Sequence, residues 1–225
     1  MRMTNLLFLL VGAPSPLQRY LAEACARDGA SVRILPETAD AVDMREALSV
    51  KTEKLRVVFT PCGDDETALL EADLADGGRR LEQIVATRCD AFLRQMQAAL
   101  SAMMQAGSGQ IWVCDIDDGF AYHAPIAVAP IQAQARAGAV RSLAKEYSRM
   151  GIAVNSIFTH PLVCPDEDVR IYRSPGLKSY AMRYKPSPAS DLLDFFATHA
   201  QSDRLPFTGA SQSFGMGVAQ AHLSL

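Results

Sequence analysis

Short apolar segments alternate with longer segments of helical periodicity along the chain, and this alternation constrains the fold more than any other feature. The apolar segments, rich in Val, Ile, Leu and Phe, are residues 6–11, 32–35, 57–59, 111–114 and 152–158. The helical segments are residues 17–27, 40–50, 81–105, 132–150 and 189–200. Continuous apolar runs are typical of strands buried on both faces, and strands that alternate with helices are typical of a parallel sheet covered by helices on both sides. We therefore expect an α/β fold with a single doubly wound parallel sheet.

Glycines at the expected helix ends agree with this pattern. Gly29, Gly107 and Gly151 each follow a helical segment and precede a strand, where a left-handed C-terminal cap is favoured. No composition shift, long linker or repeat divides the 225 residues. We expect one Rossmann-like domain over residues 1–225.

The net charge limits the expected partners of the protein, and the cysteine content limits its expected compartment. The formal net charge of −3 provides no global field for nucleic acid or for an anionic membrane, so we expect neither as a partner. The five cysteines form no C-x-x-C pair, which favours a reducing cytoplasm. The apolar run at residues 6–11 is too short to span a bilayer, and the proline-containing turn and helix after it favour a buried first strand over a signal peptide.

The second half of the chain carries a specific resemblance. The segments that carry it are Ala98-Ala99-Leu100-Ser101-Ala102-Met103-Met104, Gly109-Gln110-Ile111, Ser142-Leu143-Ala144-Lys145-Glu146-Tyr147 and Gly151-Ile152-Ala153-Val154-Asn155. In these segments the chain resembles the short-chain dehydrogenase/reductase family. The resemblance implies the family's Rossmann-like fold, including a last strand after Phe207-Thr208-Gly209.

The catalytic positions of that family hold residues without the required chemistry. The resemblance places the family's tyrosine and lysine, spaced Y-x-x-x-K, at Ala129 and Ala133, and its serine at Ile116. Hydride transfer at an alcohol carbon needs a group that accepts the hydroxyl proton, and alanine and isoleucine have none. We therefore expect no catalytic residue in this chain.

The family's dinucleotide-binding turn is degenerate as well. Its glycines fall on Gly12, Pro16 and Gln18, so only the first is retained. Proline lacks the N–H that would face a pyrophosphate, and glutamine adds a side chain where a glycine allows close packing. The acidic residue that would bind a ribose falls on Pro36, with Glu37 one position late. We expect this chain to bind no cofactor.

The region after the second strand is shortened. Between Leu35 and Leu55 there is room for one helix, whereas the family usually has a helix, a strand and another helix there. The resemblance implies that the missing strand would help to form the adenine pocket.

Two helical segments have surfaces suited to a subunit interface. An apolar stripe on the first contains Leu93, Met96, Leu100 and Met103, and the second is rich in small residues that include Ala135 and Gly138. In the family these helices pair with those of a second subunit. The alternative is that both stripes only cover the chain's own sheet.

A basic segment stands out in an otherwise acidic chain. Residues 170–185 contain no acidic residue and three tyrosines, and their cationic residues are Arg170, Arg173, Lys178, Arg183 and Lys185. Phosphate, coenzyme A or an acidic subunit surface would suit this segment. The alternative is a solvated loop.

Three further sets of residues have side chains that could carry other chemistry. Tyr122 and His123 could form a replacement acid/base pair, but a surface loop is the simpler interpretation. Asp115, Asp117 and Asp118 could hold a metal, but without a histidine at ligand spacing we expect solvated carboxylates. Cys114 is expected to be a small core residue.

Together these features predict a non-catalytic subunit of a heteromeric short-chain dehydrogenase. The expected partner is a homologous catalytic subunit, in a heterotetramer, that binds NAD(P) and oxidises a hydroxyacyl-CoA or a similar alcohol. The alternatives are a ligand-sensing or regulatory protein that uses the vestigial nucleotide cleft, and an enzyme with relocated chemistry.

Overall fold

The computed structural model describes residues 3–49, 54–60, 79–116, 128–159, 162–165, 187–203 and 205–214. The described strands are β1 (Leu6–Val11), β2 (Ser31–Leu35), β3 (Lys54–Phe59), β4 (Gly109–Ile116), β5 (Ile152–Thr159), β6 (Leu162–Val163), β7 (Ser187–Pro188) and β8 (Ser211–Phe214). The described α-helices are α1 (Pro16–Arg27), α2 (Ala41–Leu48), α3 (Arg79–Ala106), α4 (Val128–Tyr147) and α5 (Ala189–Ala200). A short 3-10 turn, Ser148–Met150, extends α4.

The main sheet has six strands in the order β2-β1-β3-β4-β5-β8, and every neighbouring pair is parallel. This confirms the predicted α/β class and its single parallel sheet, as well as the last strand after Gly209. The sheet begins at β2, and α2 is the only helix described between β2 and β3. The region after the second strand is therefore as short as the sequence predicted.

Helices cover both faces of the sheet and form two apolar cores. On one face α2, α3 and α4 pack over side chains such as Leu9, Val57 and Ile111. On the other face α1 and α5 pack over Phe8 and Trp112. All six residues of β1, which lies between β2 and β3, are buried, as expected for a buried first strand. No helix among the described residues is both long enough and apolar enough to cross a membrane.

Backbone hydrogen bonds join the carboxyl ends of β1, β2 and β3 at one edge of the sheet. The Thr60 N–H donates to the carbonyl of Val11 over 2.8 Å, and the Gly12 N–H donates to the carbonyl of Leu35 over 3.1 Å. A Cβ on Gly12, whose φ is +156°, would collide with the Thr60 hydroxyl oxygen and lie 3.3 Å from the Thr60 carbonyl oxygen. Only glycine allows this approach, which positions three strand ends at one edge of the sheet.

Substitution Gly12→Ala tests this constraint. The added methyl group has to displace Thr60 from its place beside β1, so we expect a loss of about 1–3 kcal/mol in the free energy of unfolding. Urea denaturation followed by circular dichroism measures it. Gly138→Ala is the matched control, because a Cβ there meets nothing within 4 Å. In a helix interior that change should increase stability by about 1 kcal/mol. Equal effects of the two substitutions would contradict the proposed role of Gly12.

Candidate functional site

A cavity of about 230 Å³ opens at the carboxyl edge of the sheet. Its floor consists of the ends of β1 and β3, where Val11, Gly12, Phe59 and Thr60 line it. One wall is the segment after β2, at residues 37–38, and another is α3 at residues 87–95. Gln132 and Arg136 of α4 complete the lining. Carboxyl edges of parallel sheets are where α/β proteins usually bind ligands.

The deepest charged group of the cavity is the guanidinium of Arg136. Its Nη1 lies 3.3 Å from Oδ1 of Asp115, and both side chains are 7% exposed. The guanidinium also lies over the ring of Phe92, 5.0 Å from its centroid, and donates to the Thr60 carbonyl at 3.4 Å. A buried charge of this kind is tolerated only when it is paired.

This pair corrects one prediction from the sequence. Asp115 was expected to be a solvated loop carboxylate, but it is the next-to-last residue of β4 and is 5% exposed. The expectation was wrong because Arg136, which neutralises it, is on α4 and is distant in sequence.

Gln132 lies one helical turn before Arg136 and is 2% exposed. Neither its amide nitrogen nor its amide oxygen has a hydrogen-bond partner among the residues that the structure describes. A buried amide without partners destabilises a fold by about 1–3 kcal/mol. Gln132 therefore has an unused hydrogen-bond donor and an unused acceptor at this wall of the cavity.

A second pair of opposite charges lines the outer part of the cavity. Nη2 of Arg88 lies 3.8 Å from Oε1 of Glu37, with both side chains partly exposed. Gln95 holds the segment that carries Glu37, since its amide nitrogen donates to the carbonyls of Glu37 and Ala39 over 2.8 and 2.9 Å. Each charged wall of the cavity thus contains a cation with an anion beside it.

The positions that the family resemblance assigns to catalysis lie at the same edge of the sheet. Ile116 ends β4, and Ala129 and Ala133 belong to α4. Ala133 is 1% exposed, so the position that the resemblance assigns to the family's lysine is buried in this chain. None of these three residue types has an ionisable side chain.

The start of α1 does not fit a dinucleotide pyrophosphate. Pro16 is the first residue of the helix and has no N–H, and the N–H of Gln18 donates to the Ser15 hydroxyl over 3.1 Å. The Gln18 side chain is buried, and its amide nitrogen lies 3.3 Å from the Gly12 carbonyl oxygen. Helix N-termini bind phosphate through free N–H groups and open space, and here both are largely taken by the chain's own residues.

The predicted interface residues divide into two groups. Met96, Leu100 and Met103 are at most 1% exposed and pack in the core beneath α3, so assigning them to a subunit interface was wrong. The stripe that contains them faces the sheet. Leu93 is 50% exposed, Ala135 is exposed, and Gly138 adjoins open space.

The remaining candidates from the sequence are Cys114, the possible metal ligands, the pair Tyr122 and His123, and the basic segment. Cys114 is buried as expected, and burial raises the pKa of its thiol to about 12. No group of three metal-ligating side chains occurs within the described ranges. Several candidates lie outside the described residues, namely Asp117, Asp118, Tyr122, His123, Arg170, Arg173, Lys178, Arg183 and Lys185.

Sequence reasoning missed Gln132, Arg136 and the pairing of Glu37 with Arg88. One signal was present: Gln132 and Arg136 are four residues apart in an alanine-rich helix, so they share a face.

Strand order, covering helices and the edge cavity define a Rossmann-like α/β protein. Its fold is similar to that of a short-chain type dehydrogenase/reductase from Mycobacterium ulcerans, with a TM-score of 0.71 over 95% of this chain and 89% of that one. The two sequences are 16% identical, so the likeness concerns the fold alone. No family model and no curated protein matches the chain.

Replacing Arg136 alone should destabilise the fold more than replacing Arg136 and Asp115 together. Arg136→Met leaves a buried carboxylate without its cation, and we expect it to lower the free energy of unfolding by about 3–5 kcal/mol. Adding Asp115→Leu removes the stranded charge and should restore a large part of the loss. Urea denaturation of both variants and of the Asp115→Leu single variant gives the coupling energy. Additive losses would show that the two side chains do not stabilise one another.

Proposed function

We propose that this chain is a non-catalytic subunit of a heteromeric NAD(P)-dependent short-chain dehydrogenase. The observation that carries the proposal is the buried Ala133, which stands where the family resemblance places a catalytic lysine. Alcohol oxidation needs a proton acceptor beside the substrate hydroxyl, and a lysine lowers the pKa of that acceptor. A chain with Ile116, Ala129 and Ala133 at these positions contributes to such an enzyme through assembly rather than chemistry.

The cofactor of the proposed enzyme is bound by the partner subunit. In this chain the first turn of α1 has fewer N–H groups available to a ligand, because Pro16 has none and the Gln18 N–H donates to the Ser15 hydroxyl. The Gln18 side chain fills the space beside Gly12. These contacts support a chain that binds neither NAD(H) nor NADP(H). The catalytic partner supplies the dinucleotide site and oxidises a hydroxyacyl-CoA or a similar alcohol.

The outer surface of α3 and α4 is the proposed contact with that partner. The two helices pack side by side, and Leu93 and Ile131, which are 50% and 43% exposed, lie on their outer faces. Ala135 and Gly138 follow Ile131 along the exposed face of α4 and allow a partner helix to approach closely. Large exposed apolar groups beside small residues are suited to helix packing between subunits.

The proposed pairing of a non-catalytic with a catalytic subunit resembles the heteromeric hydroxy(phenyl)methylsuccinyl-CoA dehydrogenase of anaerobic toluene degradation. In that enzyme one short-chain subunit lacks the catalytic site. The basic segment at residues 170–185 would suit the phosphates of coenzyme A or an acidic surface of the partner. The formal net charge of −3 does not favour nucleic acid or an anionic membrane as a further partner.

One observation favours a second candidate function. The unpartnered Gln132 amide beside a cavity supports a ligand-sensing or regulatory protein that uses the vestigial cleft. The two functions differ in the partner: a sensor needs no catalytic homologue, whereas the subunit should stabilise one.

The cofactor part of the proposal is tested by titrating the isolated chain with NADH and NADPH in a calorimeter. We expect no binding in the micromolar range, because the pyrophosphate would meet Pro16 and the Gln18 side chain instead of free N–H groups. The double variant Pro16→Gly/Gln18→Gly reopens space and donors and serves as the comparison. Micromolar binding by the wild-type chain would mean that it has a working dinucleotide site.

The assembly part is tested by co-expression with a short-chain dehydrogenase of the same genome that retains Y-x-x-x-K. We expect a stable heteromer in which the partner has a higher melting temperature and NAD(P)-linked activity than it has alone. Gly138→Trp and Ala135→Arg should disrupt it by steric overlap and by an unpaired charge, without unfolding the isolated chain. Glu23→Arg, at an exposed position of α1 on the opposite face of the sheet, is the control. Normal co-purification of both interface variants would refute the proposed contact.

A further inference from the structure

The cavity between α3, α4 and the ends of β1 and β3 has features of a working binding site that do not depend on subunit assembly. Apolar side chains line much of its floor and of the α3 wall, namely Val11, Phe59, Ala91 and Phe92. The Phe59 and Phe92 rings pack edge to face with centroids 5.1 Å apart. Ligand cavities typically combine such a surface with a few polar groups that orient the ligand.

The paired charges of the lining disfavour a strongly charged ligand. Arg136 is paired with Asp115, and Arg88 lies beside Glu37. A ligand with a net charge would have to separate one of these pairs or remain without a counter-ion in a partly desolvated site. The lining therefore favours a neutral ligand.

The unmet hydrogen bonds specify the polar group of that ligand. Gln132 has a free N–H donor and a free C=O acceptor on one planar group, and Oε2 of Glu37 is a further buried acceptor without a hydrogen-bond partner among the described residues. A carboxamide pairs best with another amide, which offers an acceptor and a donor side by side. The buried and unpartnered amide points to a ligand independently of the size and shape of the cavity.

We propose that this cavity binds a small, neutral, planar molecule that bears a primary or ring amide, with the amide paired to Gln132 and the ring against Phe59 and Phe92. The cavity volume of about 230 Å³ is below the roughly 300–1,000 Å³ of sites for drug-sized ligands, so the ligand is a single ring or little more. The site belongs to this chain alone and is present whether or not the proposed catalytic partner exists.

A matched series of probes tests the ligand class with the full-length chain. Benzamide and 2-pyridone carry the amide and the ring, benzoate replaces the amide by a charge, and toluene has no polar group. We expect benzamide and 2-pyridone to raise the melting temperature and to titrate with a dissociation constant of about 1 mM or tighter, a modest affinity for molecules of this size. Benzoate and toluene should bind at least about tenfold more weakly.

The location is tested through Cys89, a partly exposed residue of the cavity lining. Benzamide should slow its alkylation by iodoacetamide, measured by mass spectrometry of the Cys89 peptide. Unchanged alkylation of Cys89 at saturating benzamide would place the ligand elsewhere and overturn the proposal.

The role of Gln132 is tested by Gln132→Leu, with Gln83→Leu at an exposed position of α3 as the control. Gln132→Leu removes a buried amide without partners, so the ligand-free chain should melt roughly 2–4 °C higher, since about 1 kcal/mol shifts a domain of this size by that amount. The same variant should lose benzamide affinity by about tenfold or more. Gln83→Leu should change neither.

The combination of results is decisive. A more stable Gln132→Leu variant together with no binding of benzamide or 2-pyridone to the wild-type chain would identify Gln132 as a packing defect and overturn the proposal. Benzoate binding as tight as benzamide would overturn the neutral-amide specificity. Because these measurements use the isolated chain, they are independent of the heteromer test.

Discussion

The ion pair between Asp115 and Arg136 connects the elements that surround the carboxyl edge of the sheet. Asp115 belongs to β4 and Arg136 to α4, and the guanidinium also contacts the Thr60 carbonyl after β3 and the Phe92 ring of α3. Opposite charges that are 7% exposed interact through a medium that screens them less than water does. The pair therefore fixes how α4 sits on the sheet, and with it the shape and the neutrality of the cavity.

At the same edge of the sheet, Gly12 is retained from the family's turn but has a different structural role. In the resemblance, Gly12 belongs to a turn whose glycines leave room for a pyrophosphate, but here the space beside it is occupied by the Gln18 side chain and the Thr60 hydroxyl. Gly12 is still required, since a Cβ would collide with Thr60. A retained glycine is therefore evidence of a close approach and not by itself evidence of a cofactor.

Local sequence predicted the elements well and their surroundings less well. The strand at residues 6–11 and the helix at residues 189–200 have the predicted bounds, because alternation and turn residues are local signals. The environment of Asp115 depends on Arg136 across a helix–strand contact, which local patterns do not reveal. Met96, Leu100 and Met103 were misassigned for a related reason: an apolar stripe shows that a helix is covered on that side but not whether its own sheet covers it. The unpartnered state of Gln132 is a property of three-dimensional packing, and no sequence pattern encodes it.

The proposed subunit contact and the proposed ligand site share the same two helices at neighbouring positions. Phe92 is buried in the cavity wall while Leu93, the next residue, is 50% exposed on the outer face of α3. On α4 the exposed Ile131 precedes the buried Gln132. Interiors packed at crystal-like density transmit small displacements, so a partner that moves Leu93 and Ile131 also moves the residues that line the cavity. Coupling between the two sites is reciprocal by thermodynamic necessity. A ligand bound to Gln132 should consequently change the affinity of this chain for its partner by the same factor as the partner changes the affinity for the ligand.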